Sequence, residues 1–373
     1  MSRKTLIGIV AACIIVVIVP LVISLSGCGP VGDQEVTFPD PNLDTVIRVA
    51  LNKSSEPIHA SELASLVSLD ASHKGIEDLS GLQYCTSLAE LNLLSNEISD
   101  ISPLANLTSL TELYFMFNEV SDISPLASLT GLTRLGLDLN RVIDISPLAN
   151  LTSLTLLSLY GNQISDISPL TDLITLTWLN LGSNRIGDIS PLANLTSLIQ
   201  LSLGSNQIGD ISPLAGLTSL AQLYLMYNQI SDISPLVDND GLSDGDIVHL
   251  QGNPLSPDST NIYIPQLEAR GVNVEYLSLL APAIGAIGVP ITNIDFAWTD
   301  VTGADEYDWV LSPNPDLSSP VAVKIGLISA ACTYSGTALA YDTFYYWQVA
   351  AYKEGAFINQ SSIGTFTTIP APP

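Results

Sequence analysis

The sequence predicts two folded parts in series: an α/β solenoid with a parallel sheet along its concave face and short 3₁₀ turns along its convex face, then an all-β sandwich. Three observations predict it. Leu88, Leu110, Leu132, Leu154, Leu176, Leu198 and Leu220 recur at a 22-residue step, and Asn96, Asn118, Asn140, Asn162, Asn184, Asn206 and Asn228 keep it. Within a unit, Leu91, Asn92 and Leu93 alternate apolar with polar, the period of a strand with one buried face. From about Ala281 the leucines give way to alternating aromatics: Ile294, Phe296 and Trp298, then Tyr307, Trp309 and Leu311, then Tyr345, Trp347, Val349 and Ala351. At 373 residues the chain is long enough to build both cores.

Taken in order, the chain opens with Arg3 and Lys4 ahead of an apolar run from Leu6 to Leu25, the pattern of an export segment whose N-terminus stays in the cytoplasm. The run closes on Leu25-Ser26-Gly27-Cys28. These four residues resemble the lipobox of bacterial lipoproteins, and the resemblance implies cleavage before Cys28 and lipid attachment to its thiol. Twenty residues rising ~1.5 Å each also make a helix of roughly 30 Å, so an uncleaved membrane anchor over residues 1–28 stays open. In both cases the remainder is expected at a cell membrane, on its extracytoplasmic face.

Residues 29–65 read as a linker and a helical cap. Pro39-Asp40-Pro41-Asn42 leads into the amphipathic run Leu43, Val46, Ile47, Val49, Ala50 and Leu51, placed to cover a first strand near Leu66 to Ala71. The repeats then occupy residues 66–257. Each unit is expected to give one short strand, its leucines inward, with the recurring Asn turned in to bond the backbone of adjacent turns. Asp-Ile-Ser-Pro-Leu, as at Asp100 to Leu104, sets Ser before Pro as an N-cap before a first helical position, with Asp on the solvated convex surface. Cys85 stands where other units carry leucine and is expected to be a buried apolar thiol, far from Cys332, so no disulfide framework is implied.

Leu88, Leu91, Leu93, Asn96 and Ile98 spell the template of leucine-rich repeats. The 22-residue length and the D-I-S-P-L half resemble the internalin-type repeats of bacterial surface proteins, from roughly Leu66 to Pro257. That resemblance implies a fold and a family of binding surfaces whose partners vary.

The period breaks at Asn253, which follows Asn228 by 25 residues. The insertion carries Asp238, Asp240, Asp244 and Asp246 among glycines, an acidic loop over 238–246 that lacks the closing Glu of a calcium-binding loop, and no metal is expected there. Residues 258–280, with a helix near Ile262 to Arg270, read as a closing cap. Residues 281–373 suit one sandwich domain. Trp298 resembles the core tryptophan of fibronectin type III domains, and Leu339 to Tyr345 resembles their tyrosine corner, with Tyr341 where that family often has proline.

With 11 basic against 37 acidic residues and a formal charge of -26, the chain repels phosphate backbones, which argues against nucleic acid. His59, His73 and His249 are its only imidazoles and none has metal-ligand spacing. Without a nucleophile elbow or a glycine-rich phosphate loop, neither an enzyme nor a cofactor is expected. The outward positions of the expected sheet (third, fifth, seventh and eighth of each unit) instead carry Tyr114, Met116, Phe117, Tyr160, Trp178, Tyr224, Met226 and Tyr227. That is more aromatic surface than a solvated wall requires, and it marks the concave face as the expected site for a protein or glycan ligand. The alternative is a structural spacer or scaffold of the cell envelope, in which these side chains serve no ligand.

Overall fold

The computed structural model describes residues 33–276, 279–282, 285–299, 301, 303–361 and 363–371. The expected export segment and Cys28 lie outside the described residues. The N-terminal cap is held by a pair of two-residue strands, β1 (Glu35–Val36) and β2 (Ile58–His59), which bracket helix α1 (Pro41–Ala50) and precede the single turn α2 (Ala60–Leu63). Helix α1 starts where it does because Asp40 caps it: one carboxylate oxygen accepts the N–H groups of Asn42 and Leu43 at 2.8 and 3.1 Å, with Pro41 at the first position. The other oxygen accepts the N–H groups of Glu77 and Asp78 at 2.7 and 3.2 Å, which ties the cap to the first turn of the solenoid. Leu43, Val46 and Ile47 are the buried face, whereas Val49 and Ala50, expected in the same run, lie on the solvent side of the helix, Val49 at 77% exposure.

A ten-stranded parallel sheet follows: β3 (Ser68–Asp70), β4 (Glu90–Asn92), β5 (Glu112–Tyr114), β6 (Arg134–Gly136), β7 (Leu156–Ser158), β8 (Trp178–Asn180), β9 (Gln200–Ser202), β10 (Gln222–Tyr224), then β11 (Ile247–His249) and β12 (Asn273–Glu275). Neighbours pair in strict register, Leu113 against Leu135 and Leu135 against Leu157, and the insertion changes the step without breaking the pairing, since Gln222 faces Ile247. Helix α3 (Ser234–Asp238) lies between β10 and β11, and α4 (Ile264–Ala269) between β11 and β12. The sheet therefore runs one strand beyond residue 257. Inside, one continuous core extends from Val36 to Val274 and includes Cys85, whose thiol burial pushes up to about 12.

The asparagines close each turn. Asn140 accepts the N–H of Val120 at 2.9 Å and donates to the carbonyls of Phe115 and Leu137 at 3.0 Å, serving buried backbone groups of two successive turns. On the convex side the expected roles of Ser and Asp are exchanged. The 3₁₀ turn spans Ser102–Leu104, and Asp100 accepts the Ser102 N–H at 2.8 Å while the Ser102 hydroxyl donates back to Asp100 at 3.0 Å. Pro103 has no N–H for a capping serine to serve, so the carboxylate two residues ahead takes the first free donor, as Asp does in turns. The recurring Asp is thus a structural cap as well as a surface charge.

The C-terminal part is built from β13 (Leu279–Ala281), β14 (Ala286–Val289), β15 (Ile294–Trp298), β16 (Glu306–Ser312), β17 (Ala322–Leu327), β18 (Ala331–Tyr334), β19 (Phe344–Lys353), β20 (Ala356–Gln360) and β21 (Gly364–Thr368). One sheet has the order β13-β15-β18; the other runs β14-β21-β19-β16-β17, with β20 paired to β19. The alternating aromatics meet between them, Phe296 lying edge-on to Trp309 and Trp347 with centroids 4.7 and 4.8 Å away. This core and that of the solenoid share no buried residue.

Candidate binding surface

Strands β3 to β10 bury a central leucine, and in β5, β8 and β10 the flanking Tyr114, Trp178 and Tyr224 stand on the open face beside Leu113, Leu179 and Leu223. Two positions beyond the strands come Met116, Tyr160 and Met226. The next residue, Phe117 or Tyr227, bends away with a left-handed backbone at φ 56° and 55°. The eight residues do not form one continuous patch. Tyr114, Met116 and Phe117 sit at β5 and Tyr224, Met226 and Tyr227 at β10, about 24 Å apart across five strand spacings. Tyr160 and Trp178 stand between them at β7 and β8. Phe117 and Tyr160 are the most open, at 54% and 40% exposure.

What the sequence reading missed is that these side chains fit into neighbours one repeat away. A Cβ placed on Gly136 would meet Met116 Sδ at 2.6 Å and the Tyr114 ring at 3.1 Å; one on Gly182 would meet Tyr160 at 3.0 Å, and one on Gly204 would meet Met226 at 3.0 Å. Leu139 covers Gly161 and Tyr227 covers Gly252 in the same way. The signal was in the sequence, because Tyr114, Leu139, Tyr160 and Met226 each face a glycine 22 residues off at the same position of the adjacent unit, and Tyr227 faces Gly252 across the insertion; only Met116, 20 residues from Gly136, is out of that step.

Polar groups between the aromatics are also engaged. The Tyr114 hydroxyl donates to Glu112 at 2.9 Å, and Arg134 lies 3.8 Å from the same carboxylate. Asp138 accepts from the Ser158 hydroxyl and the Tyr160 N–H; burial pushes its carboxyl above the ordinary value, and those two bonds offset only part of the shift. At the far end Tyr224 stacks on His249 at 4.8 Å, His249 lies 3.2 Å from Glu275, and Tyr227 lies 6.2 Å from Phe357 of the sandwich. In the acidic loop Asp246 accepts the Ser243 N–H at 2.8 Å. Among the described residues no group of three or more His, Cys, Asp or Glu side chains could hold a metal ion.

The leucine-rich-repeat family, described as two copies, matches residues 130–172, 174–216 and 196–238. No curated protein matches the chain. Among solved structures, an internalin (inlF) of Listeria monocytogenes is 39% identical with a TM-score of 0.58, over 64% of this chain and 68% of that one. An internalin C2 (inlC2) of the same organism is 38% identical with a TM-score of 0.55, over 57% of this chain and 97% of that one. A leucine-rich-repeat protein of Leptospira interrogans is 29% identical with a TM-score of 0.50, over 60% and 57%. In-register strands, inward asparagines and this level of identity converge: the chain belongs to the internalin-like leucine-rich-repeat proteins.

Proposed function

We propose that the protein captures a protein partner on the concave face of its solenoid, displayed outside the cell from a membrane anchor at its N-terminus. The internalin-like fold favours a protein-binding role. The observation that carries the site is the exposure of Phe117 and Tyr160 beside the half-buried Tyr114, Trp178 and Tyr224 of the open face. Rigid aromatics spread over about 24 Å suit a protein-sized contact, and interfaces concentrate their energy in a few such residues. A glycan ligand on this face is the neighbouring possibility. The competing reading as an envelope spacer draws support from the fit of Met116 and Met226 over glycines, which explains part of the apolar surface without a ligand.

The anchor reading rests on Arg3, Lys4, the apolar run and Leu25-Ser26-Gly27-Cys28. Among the described residues no helix is long and apolar enough to cross a membrane. For the sandwich we propose a fibronectin type III-like domain. Its sheet orders and the Tyr345 hydroxyl, which accepts the Ala340 N–H at 3.0 Å, support this reading.

The deciding experiment cross-links the displayed protein to its partner, identifies that partner, and measures its affinity for variants. Trp178→Ala and Tyr160→Ala should weaken capture by ~2 kcal/mol or more each with little change in melting. Normal binding by both, with loss on changing the convex aspartates or the sandwich, would move the site elsewhere. Replacing Cys28 with Ser should leave an unprocessed precursor without acyl label, whereas a wild-type protein that keeps residues 1–27 in the membrane would establish the spanning anchor instead.

A further inference from the structure

Asp138, two residues beyond β6, is tied to both of the most open aromatic residues of the concave face. The Phe117 N–H donates to its backbone carbonyl at 2.9 Å, and the Tyr160 N–H donates to its carboxylate oxygen Oδ1 at 2.8 Å. The Ser158 hydroxyl donates to the same Oδ1. The other oxygen, Oδ2, accepts nothing from the described residues and is not closed off by them, so it stands open on the half-buried side chain. Among the described residues no basic side chain pairs with it. Arg134, four residues earlier, lies 3.8 Å from Glu112, and Arg141 lies 3.1 Å from Glu119. The charge is therefore uncompensated in a place where burial already pushes the carboxyl above its ordinary value. Nor do its hydrogen bonds require a charge, since the amide oxygen of an asparagine would accept from Ser158 and Tyr160 as well.

We propose that Asp138 is the socket for a lysine or arginine side chain of the protein partner, paired through Oδ2. The proposal rests on the concave-face reading above and names what that partner must present. Charge complementarity favours it: the first, third and fifth positions of the strands carry Asp70, Glu90, Glu112, Asp138 and Glu275 against the single Arg134. Such a face attracts cations and repels acidic or phosphorylated segments. A basic side chain also has an apolar stem, and Phe117 and Tyr160, one turn to either side of Asp138, offer exposed apolar surface for it. Much of the desolvation cost of Asp138 is already met in the free protein, so pairing there costs less than burying a fully hydrated carboxylate. A neutral hydroxyl or amide from the partner would leave the charge uncompensated. A divalent ion would lack further ligands, since among the described residues no three His, Cys, Asp or Glu side chains gather to hold one.

The test selects random peptides displayed on phage against the whole chain and, in parallel, against Asp138→Asn. The pool from the wild-type chain should be enriched in Lys or Arg, and its peptides should bind Asp138→Asn about tenfold more weakly. Replacing the peptide's critical lysine with norleucine, or its arginine with citrulline, should weaken binding to the wild-type chain by a similar factor. The same replacement should leave binding to Asp138→Asn unchanged, which is the signature of a direct pair. Circular dichroism and urea unfolding check that Asp138→Asn is folded, and the peptide replacements probe the pair on the unaltered protein in any case. Trp178→Ala and Tyr160→Ala separate two kinds of failure. Peptides weakened by those variants but bound equally by the wild-type chain and Asp138→Asn would leave the concave site standing and overturn the socket. Peptides indifferent to all three variants would overturn both. A wild-type pool with no gain in basic residues, or no enriched pool at all, also overturns the socket.

Discussion

At the scale of single residues, stability rests on side chains that serve buried backbone rather than on charge pairs at the surface. Asn140 satisfies three backbone groups, and Asn140→Leu would leave them stranded while keeping the volume; we expect a loss of roughly 3 kcal/mol or more, read by urea unfolding. Asp40 holds four N–H groups. Burial alone would raise its pKa, but those four bonds outweigh it and hold the carboxyl below its ordinary value of 3.8. Its folded pKa being depressed, the stability it contributes is fully present above pH 3.8 and is lost as pH falls through the folded value. Asp40→Asn should therefore flatten the acid limb of the stability curve and also weaken the cap by about 1 kcal/mol. Asp138 works in the opposite sense. Its raised pKa makes the native state hold a proton more tightly, so its burial penalty fades as pH drops towards 3.8. Asp138→Asn keeps an acceptor for Ser158 and Tyr160, and should raise stability at neutral pH; a drop in the urea midpoint there would show that the charge itself is needed.

At the scale of the repeat, the eighth position is the one that periodicity alone does not reveal. His73, Ser95, Phe117, Leu139, Ser183, Ser205 and Tyr227 all adopt a left-handed backbone there, while Gly161 and Gly252 occupy the same place at no steric cost. For the others the strain is of order 1–2 kcal/mol each, sustained because the N–H at that position bonds the next repeat, as Ser183 does to the Gly204 carbonyl at 2.8 Å. Ser183→Gly should accordingly be neutral or stabilising by up to about 1 kcal/mol, because no large side chain is lost. A destabilised Ser183→Gly would mean that the serine makes a contact worth more than the strain. Leu139→Gly should not stabilise, since that leucine also covers Gly161. The solenoid, its asparagines and the buried place of Cys85 were legible because a 22-residue repeat averages out local noise. The capping role of Asp100, the extra strand β12 and the glycine-filled face were not, because each depends on which backbone donor is free or on a neighbour a whole repeat away. Of the candidate site, the sequence named the outward residues. It did not show that Tyr227 meets Phe357 or that Gln251 and Asn359 line a common cavity, since those pairs lie in parts of the chain with no shared period.

At the scale of the molecule, two cores with no buried residue in common are joined at one end of the sheet, so removal of the sandwich after Tyr276 should leave a solenoid that still melts cooperatively. Charge then sets how that solenoid responds to its surroundings. The capping aspartates Asp100, Asp122, Asp144, Asp166, Asp188, Asp210 and Asp232 recur once per repeat along one exposed edge. Adjacent members lie one repeat apart, a spacing on the order of the Debye length of ~10 Å at 0.1 M salt. Asp122, Asp166 and Asp210 nevertheless titrate below the ordinary value, because the backbone N–H and hydroxyl of Ser124, Ser168 and Ser212 favour their charged form. Those three thus stay ionised at neutral pH and repel one another within a chain already carrying -26. Screening should relieve that repulsion in the folded state more than in the expanded unfolded chain. The thermal midpoint at pH 7 is expected to rise as sodium chloride increases from about 10 mM to 0.5 M. Calorimetry across that series decides it: a midpoint that falls with salt would mean that ion pairs such as Arg141 with Glu119, 3.1 Å apart, outweigh the aspartate row.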